Sequence, residues 1–266
     1  MNSTIDLRGL SIMVTRPAHQ AEPLCQLIEA SGGRPYRFPV LEIRPPDRPV
    51  RELQEQLERL DRFQMAIFIS PNAVTKAIEL IRTQLMDIPP RLKLATIGKS
   101  SSAVLQRLLG RKPDICASPP FNSEALLTNS GMQNLSGQNI IIFRGNGGRE
   151  LLAETLRSRG ARVEYCEVYR RACPAVDPDT LSLARRQGRI DVITITSGEG
   201  LHNLIRLAGA ANRHWLLQTP LAVINPRLAT LARELGFEQD LLVSREANDR
   251  AIVAAIGGWA TRLTTS

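Results

Sequence analysis

Six short segments carry small or capping residues just ahead of a stretch with helical periodicity. They are Thr15-Arg16-Pro17, Ser70-Pro71-Asn72-Ala73, Gly98-Lys99-Ser100-Ser101, Arg144-Gly145-Asn146-Gly147-Gly148-Arg149, Thr196-Ser197-Gly198 and Asn225-Pro226-Arg227. Ser70 and Ser197 are placed to accept from the first free amides of a helix, and Pro71 stands at the first helical position, which proline favours. Amides left over at such a turn, together with the positive end of the helix dipole, suit an anion. Each turn taken alone is also explained by ordinary capping. As a set, at the carboxyl ends of strands in two matching halves, they read as the walls of one anion-holding cleft.

Other chemistries lack their residues. No Gly-x-Ser-x-Gly elbow occurs, no pair of carboxylates stands out, and the cysteines have no evident histidine partner. Gly145-Asn146-Gly147-Gly148-Arg149-Glu150 has Glu150 where a dinucleotide fingerprint needs its third glycine, and no P-loop ending is present. Cys25, Cys116, Cys166 and Cys173 form no CxxC pair, and His19, His202 and His214 are not at metal-ligand spacing, so no metal is expected. What remains is a reaction driven by shape and electrostatics. Tyr169, in Glu167-Val168-Tyr169-Arg170-Arg171, then stands out: its phenol can donate a proton or a hydrogen bond, or simply pack between lobes.

Lys and Arg number 34 against 26 Asp and Glu, a net charge of +8, and only Lys76, Lys93, Lys99 and Lys112 among the basic residues are not Arg. The arginine fork binds carboxylates and phosphates, so this balance fits a polyanionic partner as well as a merely basic surface. The basic residues are spread along the chain with no helix-turn-helix or aromatic-rich RNA motif, which leaves nucleic acid out. No apolar run approaches the ~20 residues that cross a bilayer, and Met1–Asp6 has no basic segment leading into an apolar one. With scattered thiols that fit a reducing compartment, the expectation is a soluble cytoplasmic protein without a membrane partner. No long apolar stripe calls for a dimer, so a monomer is expected.

The turns need a scaffold, and the sequence writes it twice. Met65–Val74 returns as Asp191–Gly200, Leu94–Lys99 as Leu221–Pro226, and Ile12–Arg16 as Ile140–Arg144. Short apolar runs alternate with helical periodicity throughout, which predicts α/β lobes with doubly wound parallel sheets. Prolines 39, 45, 46 and 49 mark Pro39–Pro49 as an irregular crossing, and Arg162–Arg170 reads as an extended return crossing. One lobe is then 1–38 with 173–266, and the other, 39–172, is inserted; a tandem split near Gly137 is the alternative.

Val14-Thr15-Arg16-Pro17, Phe38-Pro39, Ser70-Pro71-Asn72-Ala73-Val74, Ile97-Gly98, Arg144-Gly145-Asn146-Gly147-Gly148-Arg149-Glu150-Leu151-Leu152 and Val168-Tyr169-Arg170-Arg171, in this order and spacing over nearly the whole chain, resemble the uroporphyrinogen-III synthase family. The resemblance implies two doubly wound, flavodoxin-like lobes joined by a two-strand linker. It also implies a cofactor-free lyase of tetrapyrrole (haem) biosynthesis that closes the linear hydroxymethylbilane with its last ring reversed and water lost. That substrate carries eight carboxylates, which gives the many arginines a reason. By the same resemblance, Tyr169 assists departure of the hydroxide. Ser70, Asn72, Gly98, Lys99, Ser100 and Ser197 match turns that hold substrate carboxylates, with Arg16 and Arg144 as further candidates that could instead pair with local carboxylates.

This chain departs from the family pattern at Asn225-Pro226-Arg227-Leu228, where relatives often have Gly-Pro followed by Thr, so no threonine role carries over. Gly198-Glu199-Gly200 after Ser197 bears on where that helix starts. A non-enzymatic two-lobe binding module for an anionic small molecule would show the same charge and shape.

Overall fold

A computed structural model describes residues 5–84, 87–148, 150–177, 179–187 and 190–265. The chain divides into two compact units, one made of the residues up to Glu42 together with those from Ala172 on, the other of Ile43–Arg171. In chain order, β1 (Ser11–Val14), α1 (Ala18–Ala30) and β2 (Arg34–Arg37) come first. Next are β3 (Glu42–Arg44), α2 (Val50–Leu57), β4 (Met65–Phe68), α3 (Pro71–Thr83), β5 (Lys93–Thr96) and α4 (Lys99–Leu109). Then come β6 (Ile115–Cys116), α5 (Ser123–Leu127), β7 (Asn139–Gly145), α6 (Leu151–Ser158) and β8 (Arg162–Ala172). The remainder is α7 (Asp179–Gln187), β9 (Val192–Ile195), α8 (Gly198–Leu217), β10 (Leu221–Val223), α9 (Pro226–Glu234), β11 (Leu241–Val243) and α10 (Asp249–Thr265).

The first unit's sheet runs β11-β10-β9-β1-β2, and its pairs are parallel. The second unit's sheet runs β3-β8-β7-β4-β5-β6, with β8–β7, β7–β4, β4–β5 and β5–β6 parallel. Counting β1 and β7 as first strands, both sheets contain the doubly wound order 2-1-3-4-5, to which the second sheet adds β3 as a sixth strand beside β8. The segments that align in sequence hold matching places: β4 with β9, β5 with β10, and β7 with β1. The second unit reaches this order with its last two strands standing where the first unit has its first two.

Strand alternation separates two apolar layers in each unit. On β4, Met65 and Ile67 join one core while Ala66 and Phe68 join the other; on β1, Ile12 and Val14 oppose Met13. Phe68 and Phe143 are register partners, and their rings stack at 4.9 Å. They close the apolar layer just inside the edge where the turns lie.

Three readings of the sequence change. The crossing 39–49 holds strand β3, because Glu42-Ile43-Arg44 lies between prolines and can add to the edge of β8. A helix expected over 200–207 runs from Gly198 to Leu217, with Gly209 at φ 59° breaking it into two segments. Its second half has no continuous apolar stripe to announce it. The helix expected from Arg149 is seen from Leu151, and Arg149 lies outside the described residues.

Candidate active site

In an open parallel sheet the ligand crevice lies beyond the carboxyl ends of the strands, where the winding reverses. In the second unit that point falls between β7 and β4. Ser70, just past β4, is extended (φ −156°, ψ 162°), and its Oγ accepts from the Ala73 amide at 3.1 Å. It is therefore the N-cap of α3, with Pro71 at the first helical position and Asn72 on the first turn.

Tyr169 reaches the same point from β8. Strands β7 and β8 pair in step until Arg144 stands opposite Glu167; then the register slips and Gly145 stands opposite Tyr169. The slip gives β8 an extra residue and breaks its alternation. Val168 and Tyr169 consequently both enter the core that holds Phe68 and Phe143. Tyr169 is 5% exposed, and its hydroxyl lies 3.1 Å from Ser70 Oγ. Ser70 Oγ already accepts from Ala73, so it can donate to the phenol oxygen and leave the phenol proton for a ligand.

The neighbouring turn, after β5, offers amides. Gly98 precedes α4 and brings no side-chain cap, so the amides of Lys99, Ser100 and Ser101 have no capping acceptor. Lys99 and Ser100 are exposed, and Lys99 Nζ lies 5.3 Å from the centre of the Phe121 ring.

The glycine-rich turn after β7 is closed on itself. The Arg144 side chain is 3% exposed as a residue and sits inside the turn. Its Nε donates to Gly145 O at 3.2 Å, Nη2 to Gly147 O, and Nη1 to Glu150 Oε1 at 3.1 Å. Glu150 Oε2 accepts from the Tyr165 hydroxyl at 2.6 Å, and the Arg144 guanidinium lies 4.4 Å from the centre of the Tyr165 ring. Hydrogen bonds from Tyr165 and then Arg144 hold the Glu150 carboxyl below the usual carboxylate range. Burial, and then the bond to Glu150, push the Tyr165 phenol up to about 12. Arg144, expected as a substrate contact, thus has its donors turned inward.

In the first unit the winding reverses between β1 and β9. Ser197 follows β9 and repeats the geometry of Ser70: φ −155°, ψ 152°, with Oγ accepting from Gly200 N at 3.0 Å. The glycines after it leave the helix start in place, at the residue directly following the cap. Arg16, past β1, is tied to Asp249 at the start of α10 at 2.6 Å, so this second arginine candidate is also paired locally. Asn225 caps α9 through Oδ1, accepting from Leu228 N at 2.9 Å, with Pro226 at the first position. Ser197, Asn225 and Arg227 help line a cavity of about 610 Å³ that runs along α9 to Glu234. The Asn225-Pro226 pair, so like Ser70-Pro71, was the signal for this lining in the sequence. The sequence allowed Arg144 a local carboxylate partner, but nothing local signalled that Tyr165 joins the pair, because that depends on how β7 and β8 meet.

Burial pushes the Cys166 thiol up to about 12, so it is no nucleophile. Among the described residues no three His, Cys, Asp or Glu side chains come together as a metal would need. No helix among them is long and apolar enough to cross a membrane.

Fold and site together define a two-unit, doubly wound α/β protein with a phenol–hydroxyl pair at one switch point and anion-suited turns beside it. The chain belongs to the uroporphyrinogen-III synthase family: the family model described as "Uroporphyrinogen-III synthase HemD" matches residues 22–254. It is 34% identical over 248 residues to the uroporphyrinogen-III synthase of Escherichia coli K12, covering 93% of this chain and all of that one. It is 29% identical to the enzyme of that name from Synechococcus elongatus, covering 97% and 98%. Among solved structures, a mutant uroporphyrinogen III synthase of the extreme thermophile Thermus thermophilus shares the fold at a TM-score of 0.62 and 19% identity, over 97% of this chain and all of that one. The Helicobacter pylori 26695 uroporphyrinogen-III synthetase does so at 0.60 and 12%, over 94% and 99%.

Proposed function

We propose that this chain cyclises hydroxymethylbilane to uroporphyrinogen III with inversion of the last ring and loss of water. Family membership along nearly the full chain supports the reaction. The observation that carries the site is the Tyr169–Ser70 hydroxyl pair at the second unit's switch point.

Loss of hydroxide from the substrate's first ring leaves an electrophilic azafulvene, with pyrrole nitrogen lone pairs pushing. Tyr169 gives its phenol proton to the departing hydroxide, which leaves as water, while Ser70 donates to the phenol oxygen and steadies the charge that develops there. The substituted carbon of the last ring then attacks, a spiro intermediate forms, and it reopens and reseals with that ring turned over. A proton lost at the final aromatisation restores the phenol. The protein's larger task is orientation, since the free end of the last ring closes wrongly in water. The uncapped amides beyond Gly98, with Lys99, Ser100 and Asn72, suit the substrate's carboxylates. In the first unit, Ser197 and Arg227 at their cavity serve the same purpose. Arg16 and Arg144 hold structure instead.

The same reading places the enzyme in the cytoplasm as a monomer that needs no cofactor, membrane or nucleic acid. Cys25, Cys116, Cys166 and Cys173 as free thiols support the compartment. The exposed large apolar residues Val50, Leu151, Leu183, Val243 and Leu263 lie on separate elements, which supports the monomer. The deciding experiment is chromatography of the uroporphyrinogen isomers formed from hydroxymethylbilane. Purified protein is expected to yield the ring-inverted isomer, and a product identical to the spontaneous one would reduce the chain to a binding module.

A further inference from the structure

We infer that Arg144 and Asn146 are positioning residues that set where the Tyr169 hydroxyl stands; this rests on the role given to Tyr169 above. Asn146 clips the turn to β8 on both sides of Arg170. Its amide donates to Tyr169 O at 3.1 Å, and its Oδ1 accepts from the Arg171 amide at 2.9 Å. Gly145, one residue earlier, is the bed of the Tyr169 ring, since a Cβ there would lie 2.6 Å from Cε2 and 2.7 Å from Cζ. The turn that carries both contacts is wound around the Arg144 guanidinium, whose donors meet Gly145 O, Gly147 O and the Glu150 carboxylate. Gly147 and Gly148 take positive φ of 63° and 115°, and a Cβ on Gly148 would stand 3.0 Å from Arg144 Nη2. The glycines thus let the backbone carbonyls turn in toward the arginine.

A planar fork reaching three acceptors has no lysine equivalent, because an ammonium is a point charge on a flexible stem. Without the fork, the Gly147 carbonyl and the Glu150 carboxylate lose their shared donor. The turn then relaxes, and the bed under Tyr169 moves with it. The phenol ring stays in the core that also holds Phe68 and Phe143 but loses its fixed distance to Ser70.

The test uses the full chain labelled with 3-fluorotyrosine, whose fluorine spectrum reports on Tyr36, Tyr165 and Tyr169; Tyr165→Phe and Tyr169→Phe assign the signals. Arg144→Lys and Asn146→Ala are compared with the unaltered protein, Asn146→Ala serving if the arginine variant fails to fold. The expected result is a displaced Tyr169 resonance and a kcat lowered by about tenfold to 10²-fold, with KM within about twofold, the signature of a misplaced group rather than lost binding. Arg144→Lys should retain more activity than Arg144→Ala. A raised KM with unchanged kcat would instead make Arg144 a substrate contact and overturn the inference, as would an unmoved Tyr169 resonance. If Tyr169→Phe proved fully active, the catalytic role of the phenol would fall, and the resonance alone would decide whether these two residues place it.

Discussion

Gly145 lies against the ring of Tyr169, so close that a single methyl group on Gly145 would stand 2.6 Å from Cε2. Two residues from neighbouring strands are brought opposite by one register slip, and this fixes where the phenol stands. Gly145→Ala is expected to push the ring off its bed and the hydroxyl away from Ser70. Overpacking of this kind costs about 1–3 kcal/mol. Thermal unfolding should show that loss, and turnover should fall further than stability does; full turnover would mean the ring has room to yield.

Tyr169→Phe removes only the hydroxyl and keeps the ring in the core that also holds Phe68 and Phe143. Loss of a positioned proton donor lowers kcat by about 10²-fold or more, while stability changes by about 1 kcal/mol. Steady-state kinetics on hydroxymethylbilane check this, and a kcat equal to that of the unaltered protein would remove the phenol from the mechanism. Ser70→Ala should show a smaller kinetic loss together with a cap loss of about 0.5–2 kcal/mol.

Tyr165 gives the fold an alkaline limit. Its phenol is raised to about 12 by burial and then by Glu150, so the folded chain holds that proton more tightly than the unfolded chain. The stabilisation is complete below an ordinary phenol's pKa and is lost as pH rises through the folded value. Denaturant midpoints measured toward pH 12 should therefore fall less steeply in Tyr165→Phe. Glu150 works in the opposite direction. Its carboxyl is held low by Tyr165 and Arg144, so its contribution is present at neutral pH and disappears as acid protonates it.

Arg227→Ala addresses the first unit's cavity. The side chain is exposed at the start of α9, so its removal should leave unfolding unchanged. A severalfold higher KM with kcat preserved is expected for loss of a carboxylate contact. An unaltered KM would restrict carboxylate binding to the other turns.

Much of this is legible in the amino-acid sequence. The strands at Ser11–Val14, Met65–Phe68 and Val192–Ile195 follow from short apolar runs that end in small residues, and Ser70, Ser197 and Asn225 are caps because their type and place demand it. The slip that turns Tyr169 inward was not legible: it arises from pairing between β7 and β8, and strand pairing is not written in either strand alone. The sequence left Arg144 between a substrate contact and a local pairing for a related reason. An arginine at the head of a glycine-rich turn looks like an anion site, but Gly147 and Gly148 turn the chain's own carbonyls onto it. Strand β3 hid among prolines, and the second half of α8 hid behind Gly209, where local signals point to interruption while packing continues the element.

The way β1 pairs with β9 has a consequence for synthesis on the ribosome. Ile12 finds its neighbour Val192 only after every strand of the second unit has been made. The inserted unit is continuous and can close its sheet while the nascent chain is still growing. The amino-terminal strands must wait without a partner on that side until β9 emerges, and this interval is when their apolar surface is most open to aggregation.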